Sequence, residues 1–248
     1  MSRGPLVLGD MGHALCRLSR ARATCRPLGF DIKEVHYPGF EGRPRAVSLD
    51  AFFEAVEMQV DIYRLSHARP LIYATGLGSL VLLGLRARGK VQDLPAVIQG
   101  AVPWLWARER TQGSAAVGEE ARLSLSEPEA RERFIQEHIH SPMDRSEREA
   151  FFAGYATCTA FPDVYEWFES GWLASLEGTL AGRPPAINDI QVWLCGEDGH
   201  TDEAEHDATM RALGAAWPTE RVETWGHFPY LDAPGPWTSA LEALIAVK

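Results

Sequence analysis

The sequence predicts an α/β protein in which a mostly parallel sheet is flanked by helices and carries an inserted helical cap. Three observations lead there. Short apolar runs alternate with longer helical patterns over the first hundred residues; residues 71–85 read as a strand, a glycine turn and a helix; and a charged, aromatic-rich stretch from 104 to 185 interrupts the alternation before strand character resumes. Strands alternating with helices imply parallel pairing through right-handed crossovers.

Taken in order, residues 5–8, 32–36, 71–74 and 96–99 are apolar runs of strand length, too short for buried helices. Residues 48–66 place Leu49, Phe52, Phe53, Val56, Val60 and Tyr63 at helical spacing, with Ser48 as N-cap. Residues 104–185 carry Trp104, Trp106, Phe134, Phe151, Phe152, Tyr155 and Trp167 among many Arg and Glu. Strands are expected again at 189–195 and 221–224, and a helix at 235–247. The expected organisation is a core of residues 1–103 and 186–248, with 104–185 as the cap.

Composition narrows the partners. With 24 Lys and Arg against 34 Asp and Glu, the net charge is −10, which repels nucleic-acid backbones and anionic membrane surfaces. The most apolar stretch, 71–85, is broken by Gly76, Gly78 and Gly84 and falls short of the ~20 residues that a membrane-spanning helix needs. Cys16, Cys25, Cys158 and Cys195 show no C-x-x-C spacing, so reduced thiols and a cytoplasmic setting are expected. A small molecule is the expected partner, and the oligomeric state is open.

The chemistry concentrates in three loops. Ala74-Thr75-Gly76-Leu77-Gly78 has the small residues of a sharp strand-to-helix turn, whose middle residue is strained and exposed above the sheet. His36-Tyr37-Pro38-Gly39-Phe40-Glu41-Gly42 follows an early strand, and Trp225-Gly226-His227-Phe228-Pro229-Tyr230-Leu231-Asp232 follows the last one. Together these loops resemble the α/β-hydrolase fold superfamily: the first its nucleophile elbow, the second its Asp-x-Pro-Gly-x-Gly loop with His36 in the aspartate's place, the third its catalytic-histidine loop. The resemblance makes His227 the catalytic histidine. It places Gly76, which has no hydroxyl or thiol, at the nucleophile position, with Ser79 three residues on as a displaced candidate.

In that family the acid follows the penultimate strand, which points to Asp198 in Gly196-Glu197-Asp198-Gly199, with Glu197 beside it as the alternative. A carboxylate there fixes the imidazole tautomer and stabilises the imidazolium. The oxyanion loop departs from the pattern. Residues 6–8 run into Gly9-Asp10-Met11-Gly12-His13, and a carboxylate at Asp10 opposes the negative charge developed in acyl transfer. Asp10 is expected to face the pocket as a second acid or base or as a polar anchor, or else to cap a following helix. Met11, Leu77, Trp104, Trp106 and Phe228 are expected to line an apolar or aromatic pocket.

Other histidines have plainer expectations. His138 and His140 are placed on the exposed face of a charged helix, His200 and His206 in a solvated acidic stretch; neither pair implies a metal, and no cofactor is implied. Without a nucleophile no acyl-enzyme forms. The first functional expectation is therefore a His227–Asp198 general base acting on a small apolar or aromatic molecule, as a lyase, cyclase, isomerase or water-direct hydrolase. The others are a binding protein without turnover, or a serine hydrolase whose nucleophile was replaced by Gly76.

Overall fold

The computed structural model describes residues 2–10, 15–103, 123, 125–169, 172–173, 175–176, 179, 190–199 and 203–247. Strands β1 (Ser2–Leu8), β2 (Lys33–Glu34), β3 (His67–Thr75), β4 (Ala96–Gln99), β5 (Ile190–Cys195) and β6 (Thr219–Val222) form one sheet in the order β2-β1-β3-β4-β5-β6. Every pairing in it is parallel. Helices α1 (Ser19–Cys25), α2 (Leu49–Ser66) and α3 (Leu77–Ala87) connect the early strands. Between β4 and β5 run α4 (Pro128–His138), α5 (Arg145–Thr157) and α6 (Phe161–Glu169). Helices α7 (Glu203–Leu213), α8 (Pro229–Asp232) and α9 (Pro234–Val247) complete the described chain.

The strand residues that read as apolar runs are the buried ones. Leu6, Val7, Leu8, Ile72, Tyr73, Ala74, Val97, Ile98 and Val192 are each at most 2% exposed, as expected of strands covered on both faces. Ser48 caps α2 by accepting the Ala51 N–H at 3.1 Å. Helix α3 is buried from Leu77 to Arg86, which explains why its sequence is apolar all round. Gly84 lies against the ring of Phe53, where a Cβ would collide. None of the helices among the described residues is long and apolar enough to cross a membrane.

Several boundaries differ from the sequence expectation, β1 among them, since it begins at Ser2 and not at residue 5. β3 begins at His67, not at residue 71, because its polar start pairs with β1 through an irregularity at Ser2 and Gly4. β2 shrinks to Lys33–Glu34. β6 lies two residues earlier than 221–224, where Thr219 to Val222 pair with Val192 to Cys195. It is an exposed edge strand, so no buried apolar run announced it.

The strand order also fixes where a site can form. From β1 the chain steps outward to β2 and then returns to β3 on the other side of β1. Such a reversal opens a crevice beyond the carboxyl ends of β1 and β3, the usual ligand position in an open α/β sheet. Gly9 and Asp10 leave β1 at that crevice, and Gly76 leaves β3 beside them.

Candidate active site

Gly76 links β3 to α3 with φ +52° and ψ −125°, a conformation that side-chain-bearing residues adopt only under strain. A Cβ built on Gly76 would fall onto the carboxyl carbon of Asp10. The Asp10 carboxylate thus occupies the space above the turn that a side chain at 76 would take. Its Oδ1 accepts the Leu77 N–H at 2.7 Å, at the first turn of α3, where backbone donors and the helix dipole favour an anion. Asp10 is therefore an anchor across the crevice, and the helix it caps is α3.

Neighbouring contacts hold this arrangement. The Tyr37 hydroxyl donates to the Gly9 carbonyl at 3.2 Å, tying the Pro-Gly loop to the residue before Asp10. Gln59 brackets His36, accepting from its N–H at 2.8 Å and donating to its carbonyl at 2.9 Å. Gly78 passes so close to the Leu8 carbonyl that any Cβ would strike it, so the first turn of α3 packs directly on the end of β1. Ser79 is fully buried in α3, and its hydroxyl has no hydrogen-bond partner among the described residues.

In the loops that follow β5 and β6, His227 Nδ1 lies 3.0 Å from Asp198 Oδ2. The Asp198 side chain is 3% exposed and that of His227 23%, whereas Glu197 is exposed. Backbone bonds from Gly196 N to the Val222 carbonyl and from Glu197 N to the Trp225 carbonyl, 2.9 and 3.0 Å, join the loops after β5 and β6. These bonds set acid and imidazole in register. Gln99, at the end of β4, donates to the His227 carbonyl at 3.0 Å and accepts from the Tyr73 hydroxyl at 3.0 Å. Asp232 accepts the N–H groups of His140 and Ser141 at 3.1 and 2.8 Å, pinning the end of α4 to the histidine loop.

Two histidine expectations are corrected. His138 is buried, and its ring centroid stands 5.3 Å from that of His227; α4 turns that face toward the histidine loop, which a charged helix sequence did not reveal. His140 is exposed, as expected. His206 is 4% exposed, with Nε2 3.2 Å from Thr219 Oγ1, and burial lowers its pKa from the ordinary histidine value. The charges of Asp207 and Glu203 oppose that shift without cancelling it. Among the described residues no cluster of three or more His, Cys, Asp or Glu is placed to hold a metal ion.

Leu77 is buried at the turn, and the Phe228 ring lies 4.5 Å from that of His227. Met11, Trp104, Trp106 and His200 lie outside the described residues. Sequence reasoning missed Arg17, which is 1% exposed with its guanidinium 4.0 Å over the Phe151 ring and 4.8 Å over that of Tyr155. It sits in a short 3-10 turn, Leu15–Leu18, where no periodicity distinguishes a buried arginine from a surface one. Cys195 is buried at the end of β5, and burial followed by the charge of Asp198 pushes its thiol up to about 12.

No family model matches the sequence. Nor does any curated protein match it. Solved structures do match in fold. An esterase from Exiguobacterium antarcticum superposes with a TM-score of 0.68 at 13% identity, over 99% of this chain and 92% of that one. An epoxide hydrolase from Vigna radiata gives 0.65 at 11% identity, over 100% and 92%. An AqdC variant in complex with its substrate, the Pseudomonas quinolone signal, whose ring it cleaves, gives 0.59 at 14% identity, over 100% and 92%. The chain has the α/β-hydrolase fold, and these structural neighbours are enzymes that act on small molecules.

Proposed function

We propose that this protein is an enzyme in which His227, oriented by Asp198, acts as a general base on a small apolar or aromatic molecule without a serine nucleophile. The observation that carries this reading is the Asp10 carboxylate. It fills the space above Gly76 and holds the Leu77 N–H. In acyl transfer that backbone N–H would stabilise a developing oxyanion. A resident carboxylate repels that charge instead.

The same observation weighs against a serine hydrolase that lost its nucleophile at 76, since a serine there would have to displace Asp10 first. A proton-transfer role needs less. With Nδ1 engaged by Asp198, Nε2 is the atom of His227 that would take a proton from an acidic C–H or O–H of the ligand, or from water. Elimination, isomerisation, cyclisation and water-direct cleavage all begin that way. Helices α4 to α6, between β4 and β5, would belong to a cap, with Leu77 and Phe228 among the residues lining the pocket. The fold accommodates chemistry beyond ester hydrolysis, ring cleavage by the AqdC neighbour being one case.

The competing reading is a binding protein without turnover. A buried carboxylate held on an imidazole at 3.0 Å favours catalysis, because binding alone does not call for an oriented base. Incubation with a mixed metabolite extract, followed by mass spectrometry, tests the choice. Wild-type protein is expected to consume a compound that His227→Ala leaves intact, and neither is expected to label with a fluorophosphonate. Labelling of the wild type, or equal consumption by both, overturns the proposal.

A further inference from the structure

Among the described residues six large apolar side chains are exposed, and three of them, Met58, Ile62 and Leu65, lie on α2. Apolar residues scattered singly over a surface need no explanation, whereas a row of them on one element marks a face that another body covers. These three are 61%, 61% and 81% exposed. With the half-buried Ala51 and Ala55 they follow the spacing four, three, four, three along the helix. That mean period of 3.5 residues is the one that keeps a seam facing a second helix. The core does not account for it, because α2 buries Phe52, Phe53, Val56, Val60 and Tyr63 on its other face.

The sizes along the seam say what covers it. Ala51 and Ala55 make its N-terminal half small, Ile62 and Leu65 make its C-terminal half large, and Met58 stands between them. A second α2 laid antiparallel, with its centre at Met58, sets Ala51 against the partner's Leu65, Ala55 against the partner's Ile62 and Met58 against the partner's Met58. Each large side chain then meets a small one, and the two helices run at an even distance. Parallel helices would set Leu65 on the partner's Leu65 and leave a gap between the alanines. The antiparallel pair also brings opposite ends of the helix dipoles together.

We propose that the outer face of α2 is a homodimer interface, in which two copies of this chain pair their α2 helices antiparallel about a two-fold axis at Met58. Such a contact is isologous and closes on itself, so it yields a dimer and not a filament. It is independent of the chemistry at His227. The 18 residues of α2 give a strip about 27 Å long and about 10 Å wide. That is smaller than the roughly 800 Å² per partner of a standard interface, so association is reversible and weak. The register also sets Glu54 beside the partner's Asp61, and both are exposed. Like charges at that spot oppose pairing, and salt relieves them.

Sedimentation equilibrium of the full chain, with cysteine cross-linking, tests this. Wild-type protein is expected to pass reversibly from monomer to dimer in the micromolar to submillimolar range, and Ile62→Lys to stay monomeric with unchanged thermal unfolding. Glu54→Lys is expected to strengthen the dimer several-fold at low salt, more than Glu129→Lys, which makes the same charge change on α4. With copper–phenanthroline as oxidant, Met58→Cys is expected to form an intermolecular disulfide more than about tenfold faster than Leu65→Cys, whose two copies stand about 21 Å apart along the helix axes, beyond a disulfide's reach. A mixture of Ala51→Cys and Leu65→Cys proteins is expected to cross-link to each other. The native Cys25, Cys158 and Cys195 are buried, and wild type under the same oxidant gives the background. A wild-type protein that stays monomeric at submillimolar concentration and high salt overturns the proposal, as does a dimer that folded Ile62→Lys leaves intact. Leu65→Cys linking to itself as fast as Met58→Cys, or Glu54→Lys acting no more than Glu129→Lys, overturns the antiparallel register.

Discussion

The carboxylate of Asp10 stands where a side chain on Gly76 would stand, and it holds the backbone N–H of the next residue. A residue from the end of β1 has thereby taken the place above the turn that follows β3. Gly76→Ser alone is therefore expected to stay unlabelled by a fluorophosphonate and to destabilise the fold by about 1–3 kcal/mol, from positive-φ strain and displacement of Asp10. The double variant Asp10→Gly, Gly76→Ser frees the space and the amide, and is the one expected to label. Labelling of the single variant contradicts the blocked-turn reading.

Asp198→Asn keeps the shape of the acid and removes its charge. It is expected to lower turnover by roughly a thousandfold or more, since the imidazole loses both its tautomer control and its counter-charge. Thermal unfolding of the two proteins, run beside the consumption assay, separates this from loss of structure. Loss below tenfold in a folded protein counts against the pair as the catalytic base.

Gln99 bridges the Tyr73 hydroxyl and the His227 carbonyl from within the sheet. Gln99→Leu removes one hydrogen bond from the buried Tyr73 hydroxyl and one from the part-buried His227 carbonyl, a loss of about 1–3 kcal/mol each at most. Urea unfolding is expected to show a lower midpoint with an unchanged slope. Since the carbonyl of His227 is released, activity is expected to fall as well.

The thiol of Cys195, pushed up to about 12 by burial and by Asp198, is almost wholly protonated near neutrality and so a poor nucleophile. Iodoacetamide at pH 8 is expected to leave it unmodified in the native protein and to alkylate it after denaturation, as peptide mass spectrometry would report. Rapid native alkylation would reopen the question of a second nucleophile near the acid.

Acidification is expected to weaken the fold before any carboxylate titrates. Burial lowers the pKa of His36, His67 and His206, so the unfolded chain takes up protons first, near the ordinary histidine value of about 6.5. Stability is then full above that pH and is lost as pH falls toward the folded values. Urea midpoints at pH 8 and pH 5.5 measure it, and His206→Gln is expected to reduce the difference. Glu147, held at about 2 by hydrogen bonds from Arg20, contributes only further down, from about 4.5.

By itself the sequence determined the layered α/β plan, the strand–turn–helix at 71–85 and the two loops that bring Asp198 to His227. Those features are local: apolar period, turn glycines and short motifs record which face is buried and where the chain must turn. What covers Gly76, what faces His227 and what lies under Arg17 were decided only by the tertiary structure. Asp10 and Leu77 are separated by 67 residues, His138 and His227 by 89, and Arg17 and Phe151 by 134. Contacts across such spans depend on strand order and on how helices lie over the sheet edge. A lone charged residue carries no periodic signal of either, so its burial and its partners emerge only when the chain is packed.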